Sequence, residues 1–217
     1  MNYTESDVRA FRRNDNSAAR IERLKIIFQF AVTIVCSFIM GLLLIRMLPE
    51  QFYSNSVLRV STHFETVFIN CEGLYDYVLC ILKYSLSDII CIVALFLVSF
   101  FTFNYVASDI VLIYNGIKIG STLSFLWAFI ANTALSYNLG VLRYVVVVVF
   151  KLALLILIFD YSCRSALYSH KLKVVSATGR PSVKMRALVP FVVNTIAYIG
   201  SLIIFNGIYC FLIYALK

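Results

Sequence analysis

Long apolar blocks separated by short polar segments dominate this sequence. Each block is close to the roughly 20 residues that cross a bilayer as a helix, and none shows the alternating polarity of a membrane β-strand. We therefore predict an all-α fold, a polytopic helical membrane protein. Its five transmembrane helices are predicted at about Ile26–Leu48, Leu86–Phe103, Ile110–Ala131, Leu142–Tyr161 and Leu188–Leu216.

The segment between the first two apolar blocks, residues 49–84, is too polar to span a membrane. Apolar residues still recur within it near helical spacing, which is typical of an amphipathic helix. These residues are Val57, Val60, Phe64, Val67 and Phe68. We predict one amphipathic helix here, lying on the membrane surface or on the other helices.

Basic residues are concentrated in two segments. Residues 1–25 contain six Lys and Arg, and residues 163–187 contain another six and no acid. Because Lys and Arg accumulate in cytoplasmic segments, both are predicted inside, which five crossings allow. The chain is thus predicted as a cytoplasmic basic segment, 1–25, followed by a single transmembrane domain, 26–217, in the cell membrane. Its C-terminus and the loop 49–84 are predicted outside.

The overall composition agrees with a membrane class and argues against nucleic-acid binding. Hydrophobic residues make up 61% of the chain and charged residues 14%, whereas soluble domains have about 45–50% and about 25%. The net charge of +8 comes from the flanks of apolar blocks, without the interleaved aromatic and basic residues of a nucleic-acid surface. The lipid bilayer is the predicted partner of these blocks, and no nucleic acid is expected.

The third apolar block contains the candidate polar core of the molecule. Gly116 and Gly120 are four residues apart, a spacing that allows two helix backbones to approach closely. Asn115 and Lys118 supply polar groups in the same turns, and Lys151 lies in the middle of the fourth block. A lysine at the centre of a transmembrane helix costs roughly 2.5–3.5 kcal/mol on insertion scales, so both lysines are expected to face the helix bundle and find partners.

Two roles remain open for Lys118 and Lys151. They can form a proton or ion relay or a polar contact to another protein, or they can make structural pairs or extend towards the headgroups. Asp88 and Asp160 are predicted near opposite membrane surfaces, where acids mark helix ends. The candidate partners of the lysines are Asp88, Asp109, Asp160, Asn115 and backbone carbonyls.

No catalytic or metal-binding pattern is found in the sequence. His63 and His170 are predicted on opposite sides of the membrane, and no zinc-protease, phosphate-loop or nucleophile-elbow motif occurs. We therefore expect no enzyme activity, no metal and no cofactor. Cys71 and Cys80 are a candidate disulfide if the outer side is oxidising, although a helix through both would keep them too far apart.

This layout resembles that of the stage II sporulation protein M family of bacterial membrane proteins. The shared features are five helices, a basic inner N-terminus, an outer amphipathic segment and a tight hairpin of the second and third helices. The local similarity covers Ile113–Gly120, the apolar run Ser121–Phe129, and Tyr198–Ile203 near the end. One difference is Ser136–Gly140, which contains no proline where many family members have a proline-containing turn.

The resemblance implies a non-enzymatic scaffold that recruits or localises peptidoglycan-degrading partners during sporulation and engulfment. Other relatives are thought to accompany transport ATPases, which gives an alternative function as a membrane subunit of a transport system. In that case segment 163–187 is the candidate contact for an inner partner. A homo-oligomer is a further candidate assembly.

Overall fold

Long uninterrupted helices account for almost all of the described chain. The computed structural model describes residues 5–47, 73–101, 104–132, 137–177 and 181–215. Within these segments there is no strand. The five helices are α1 Glu5–Met47, α2 Leu74–Val98, α3 Asn104–Asn132, α4 Tyr137–Ala177 and α5 Pro181–Ala215.

Each helix contains a stretch long and apolar enough to cross a membrane. The prediction of an all-helical fold with five such helices is confirmed for the described residues. The stretches run from 22 to 26 residues, which exceeds the roughly 20 that a 30 Å hydrocarbon layer requires. They are Arg23–Leu44, Tyr75–Val98, Asn104–Ala128, Tyr144–Ser169 and Leu188–Leu212.

The helices alternate in direction along the chain. Along the contact between α1 and α3, residue numbers increase in the same direction in both helices: Gln29 donates to Asp109, and the Leu42 backbone oxygen accepts from Ser124. These two helices are therefore parallel. The contacts of α2 with α3, of α3 with α4 and of α4 with α5 run in opposite senses, as Asn104 with Ser165 and Trp127 with Tyr144 illustrate for α3 and α4. Because the five helices alternate in direction, the start of α1 and the end of α5 lie at opposite ends of the bundle.

The most extensive contact joins α1 and α3, although α2 lies between them in sequence. Helix α3 also packs against α4, and α5 packs against α2 and α4. One continuous apolar core runs between the helices, with Phe30, Ile92, Leu112, Ile158 and Leu202 at or near zero exposure. The polar residues that the sequence predicts in the core of the molecule lie between these helices.

Two predicted boundaries differ from the structure. Helix α2 begins at Leu74, well before the predicted start at Leu86, because Asp76 and Lys83 are accommodated in its first turns without breaking it. Most of the predicted cytoplasmic loop 163–187 is helical, since α4 continues to Ala177 and α5 starts at Pro181. Polar residues end an apolar block but do not end a helix, and the first helix-breaking residues after α4 are Gly179 and Pro181.

The predicted outer amphipathic helix lies mostly outside the described residues. Of segment 49–84, only residues 73–84 are described, and residues 74–84 belong to α2. The stretch 57–68, whose spacing suggested the amphipathic helix, therefore remains a prediction.

Candidate functional site

Helix α3 is fixed against α1 at positions where only small side chains fit. A Cβ atom built on Gly41 would lie 2.5 Å from the backbone oxygen of Ile117. A Cβ on Gly120 would collide with the backbone oxygen of Phe38, and one on Gly116 with the side chain of Ser37. The two helix backbones are thus in near-direct contact, as in small-residue packing of membrane helices. This contact fixes the rotation of α3, and therefore the direction of its polar side chains.

Lys118 forms an ion pair with Asp88 between α3 and α2. The Lys118 Nζ lies 3.0 Å from Oδ1 of Asp88 and donates a second hydrogen bond to the Ser87 hydroxyl at 2.8 Å. The Asp88 side chain is 2% exposed and the Lys118 side chain 30%. The ammonium also lies 5.9 Å from the centre of the Tyr114 ring. Asp88 lies near the middle of α2 rather than near one of its ends, because α2 begins earlier than expected.

Asn115 lies one turn before Lys118 on the same side of α3 and is completely buried. Its Nδ2 donates to the backbone oxygen of Val111 at 2.9 Å and contacts the Cys91 sulfur at 3.5 Å. Its Oδ1 has no hydrogen-bond partner among the described residues. Asn115 therefore extends the polar contact between α2 and α3 by one turn.

Lys151 lies in a separate, aromatic environment formed by α2, α4 and α5. It is 8% exposed, and its Nζ lies 4.6 Å from the centre of the Tyr84 ring and 5.7 Å from that of Tyr209. The faces of aromatic rings attract cations, more strongly when water is excluded. Within the described part of the chain, Lys151 has no carboxylate within ion-pair distance. No sequence signal beyond the lysine itself indicates this arrangement, because the two tyrosines come from other helices.

Both lysines are held by consecutive turns of α2. Tyr84, which lies under Lys151, and Asp88, which pairs with Lys118, are four residues apart and thus on the same side of the helix. Ser85, next to Tyr84, accepts a hydrogen bond from Asn206 of α5 at 3.0 Å. Helix α2 therefore carries a polar strip that contacts α3, α4 and α5.

A second ion pair lies on the outside of α4. The Arg164 Nε donates to Oδ2 of Asp160 at 2.9 Å, one turn apart on the helix, and the Tyr198 hydroxyl of α5 also donates to Oδ2. The two charged side chains are 46% and 54% exposed, Asp160 being the less exposed. The sequence pattern predicts Asp160 at a helix end and Arg164 in a loop. The signal that could have revealed the pair is the acid–base spacing of four residues.

Buried hydrogen bonds attach the hairpin of α2 and α3 to α4. The Asn104 Nδ2 donates to the backbone oxygen of Ser165 at 2.9 Å, and the Ser165 hydroxyl donates to the backbone oxygen of Leu95 at 3.0 Å. All three residues are almost completely buried. Asp109 makes a similar attachment to α1, accepting from Gln29 and Thr33. Asp109 is therefore engaged by α1 in the structure.

The candidate disulfide lies outside the described residues, since Cys71 and the side chain of Cys80 are not described. Cys36, Cys91 and Cys163 are free thiols. In the five described segments, no three His, Cys, Asp or Glu side chains come together in a way that could hold a metal ion.

Comparisons with known proteins add no relative to this picture. No family model, curated protein or solved structure matches the chain. A functional assignment therefore depends on the residues and contacts described above.

Proposed function

We propose that this chain is a five-span integral membrane protein that acts as a non-enzymatic scaffold, with its N-terminus in the cytoplasm and its C-terminus outside. The observation that carries the proposal is the pairing of Lys118 with Asp88. An ammonium and a carboxylate near the middle of two apolar helices bond to each other, and the ammonium also donates to Ser87. They thereby join helices and leave little charge for chemistry on a substrate.

Further contacts between the helices support the same role. Asn104, Asn206 and Ser165 each use a side chain to reach a different helix, and Asp109 accepts two hydrogen bonds from α1. Polar side chains that cross between helices stabilise membrane bundles, by about 0.6 kcal/mol each on average. Such a bundle is a rigid support for surfaces that bind other proteins.

The recruited partners are proposed from the resemblance to the stage II sporulation protein M family. They are membrane or cell-wall proteins, peptidoglycan hydrolases among them, that act in cell-wall remodelling during engulfment. The outer segment, residues 49–84, is the proposed contact. Its direct test is partner capture: a photocrosslinking residue placed at Tyr75, which is exposed at the start of α2, should crosslink to cell-wall proteins. The same residue at Val35, which is exposed near the middle of the apolar stretch of α1, should not.

The membrane orientation is tested independently of the partner. Reporter fusions that are active only outside the membrane should give a signal after Lys217 and no signal before Met1. Signals from the same side at both ends would contradict five crossings, because helices that alternate in direction need an even number to return. Extraction with alkaline carbonate should leave the protein in the membrane fraction.

A transport subunit is the second candidate, favoured by the strip on α2. Lys118 and Lys151 contact residues one turn apart on that helix, Asp88 and Tyr84, so polar groups follow one another along the bundle interior. Replacing Lys151 with Leu distinguishes the two functions. A scaffold should still capture its partner, because the change removes a buried charge that has no carboxylate partner among the described residues. A coupled transporter should lose substrate movement while the protein stays folded. Lys83→Leu, an exposed position on α2, is the matched control.

A further inference from the structure

The Asp160–Arg164 pair faces outward at a depth where lipid tails would surround it. On α4 the apolar stretch is Tyr144–Ser169. At 1.5 Å per residue, Asp160 is about 5 Å from its middle, well inside a 30 Å hydrocarbon layer. Tyr198, which bonds Asp160, is likewise about 3 Å from the middle of Leu188–Leu212. The positions of Asp160 on α4 and of Tyr198 on α5 therefore indicate a similar depth for the ion pair.

Lipid is a poor environment for this pair. Ionisable side chains in membrane helices almost always face the protein interior or a water-filled cavity. Here both side chains are about half exposed, and Arg164 gives one hydrogen bond, through Nε, to the other described residues. Most of its five N–H groups therefore have no acceptor among the described residues. By contrast with an arginine that extends towards the headgroups, Arg164 is held towards the membrane centre by Asp160.

The pair continues an exposed apolar stripe along α4. The stripe residues recur every three or four positions, which is the spacing of one helix face. All are more than a third exposed, with Ile156 at 67%. The stripe consists of Val145, Val149, Leu152 and Ile156, followed by Asp160 and Arg164.

We propose that this α4 stripe is the surface on which a second copy of the chain packs within the membrane. The inference rests on the proposed membrane insertion. Two copies inserted in the same way share one orientation and one depth, so a two-fold axis along the membrane normal brings stripe against stripe.

Charge complementarity identifies the second copy as the occupant. Asp160 and Arg164 are about 6 Å apart along the helix axis, a distance that a long arginine side chain covers. Each arginine can therefore donate to the aspartate of the other copy while keeping its own. The surface carries both signs and no net charge, so it complements itself, and the contact would cover the charges that a single copy leaves towards lipid.

The test uses the full-length protein in lipid vesicles, labelled in separate batches with donor and acceptor fluorophores. The native chain should show energy transfer at protein-to-lipid ratios where random proximity gives none. The double variant Asp160→Leu/Arg164→Leu should insert normally and lose the transfer. Val35→Leu, on the exposed face of α1, should keep it.

A charge exchange makes the test specific for self-pairing. Copies with Asp160→Arg carry two positive groups on the stripe, and copies with Arg164→Asp carry two negative groups. Neither variant alone should show transfer, whereas a mixture of the two should recover it. If the exchanged variants fail to insert, the double leucine variant decides alone.

Several outcomes would overturn the inference. Inserted native protein without transfer, transfer that survives in the double leucine variant, or folded exchange variants that do not recover in mixture would each exclude a second copy on this surface. Capture of a different membrane protein that depends on Asp160, with no transfer between copies, would assign the surface to that protein. Failure of carbonate-resistant insertion would instead contradict the proposed function.

Discussion

Two ion pairs at similar depth in the bundle have opposite surroundings. Asp88 and Lys118 belong to different helices, and the Asp88 side chain is almost completely buried, at 2% exposure. Asp160 and Arg164 come from one helix and are each about half exposed. The first pair connects helices of one chain, so its loss should lower the stability of the fold. The second pair contacts α5 through the Tyr198 hydroxyl, and about half of each charged side chain stays exposed to another molecule.

The largest expected effect comes from breaking the enclosed pair. Asp88→Leu should lower the free energy of unfolding by about 3 kcal/mol, because Lys118 loses its carboxylate while remaining between two apolar helices. Unfolding by SDS titration in mixed micelles measures the change. The double variant Asp88→Leu/Lys118→Met should recover most of the loss, and a double variant no more stable than the single one would show that the pair is not the cause.

The next effect concerns the helix contact that orients Lys118. Gly120→Ala should destabilise the protein by about 1–3 kcal/mol, since the added Cβ collides with the backbone of α1, which has to shift. Gly200→Ala is the matched control, because a Cβ there meets nothing within 4 Å. The same SDS titration compares the two. Equal effects at both glycines would argue against close packing of α1 and α3.

Much of this arrangement was predictable from the sequence, and the reasons for the remainder are physical. Five apolar blocks predicted five helices because burial in lipid requires continuous apolar length. The helix ends were not predictable from the same signal, since Asp76 and Lys83 extend α2 beyond its most apolar part. The glycines of α3 indicate a face for close packing, but nothing in their spacing selects α1 as the neighbour.

The candidate site shows the same division. The sequence placed Lys118 in the bundle and included Asp88 among its candidate partners, since unpaired charges in lipid are costly. It did not indicate the rings of Tyr84 and Tyr209 beside Lys151, because cation–π contacts have no sequence spacing when the rings come from different helices. The sequence pattern predicts Asp160 at a helix end, because the basic segment that follows it is predicted as a loop.

The smallest expected effect is at the outward pair. Arg164→Leu should change the free energy of unfolding in detergent, where copies are diluted, by less than about 1 kcal/mol, since exposed ion pairs contribute little. The contrast with Asp88→Leu in the same SDS titration is the sharpest form of the comparison. A loss at Arg164 as large as that at Asp88 would mean that the outward pair is also a structural contact of the single chain.

The parallel contact of α1 with α3 has a consequence for biosynthesis. Thr33 and its acceptor Asp109 are separated by 76 positions, which a ribosome adds in roughly 4–15 seconds at about 5–20 residues per second. During this interval Ser37 and Gly41 of α1 lack the helix that they contact in the complete chain. The contact between α1 and α3 can form only after the third helix has been synthesised. Until then, other helices with small residues can compete for the same face of α1.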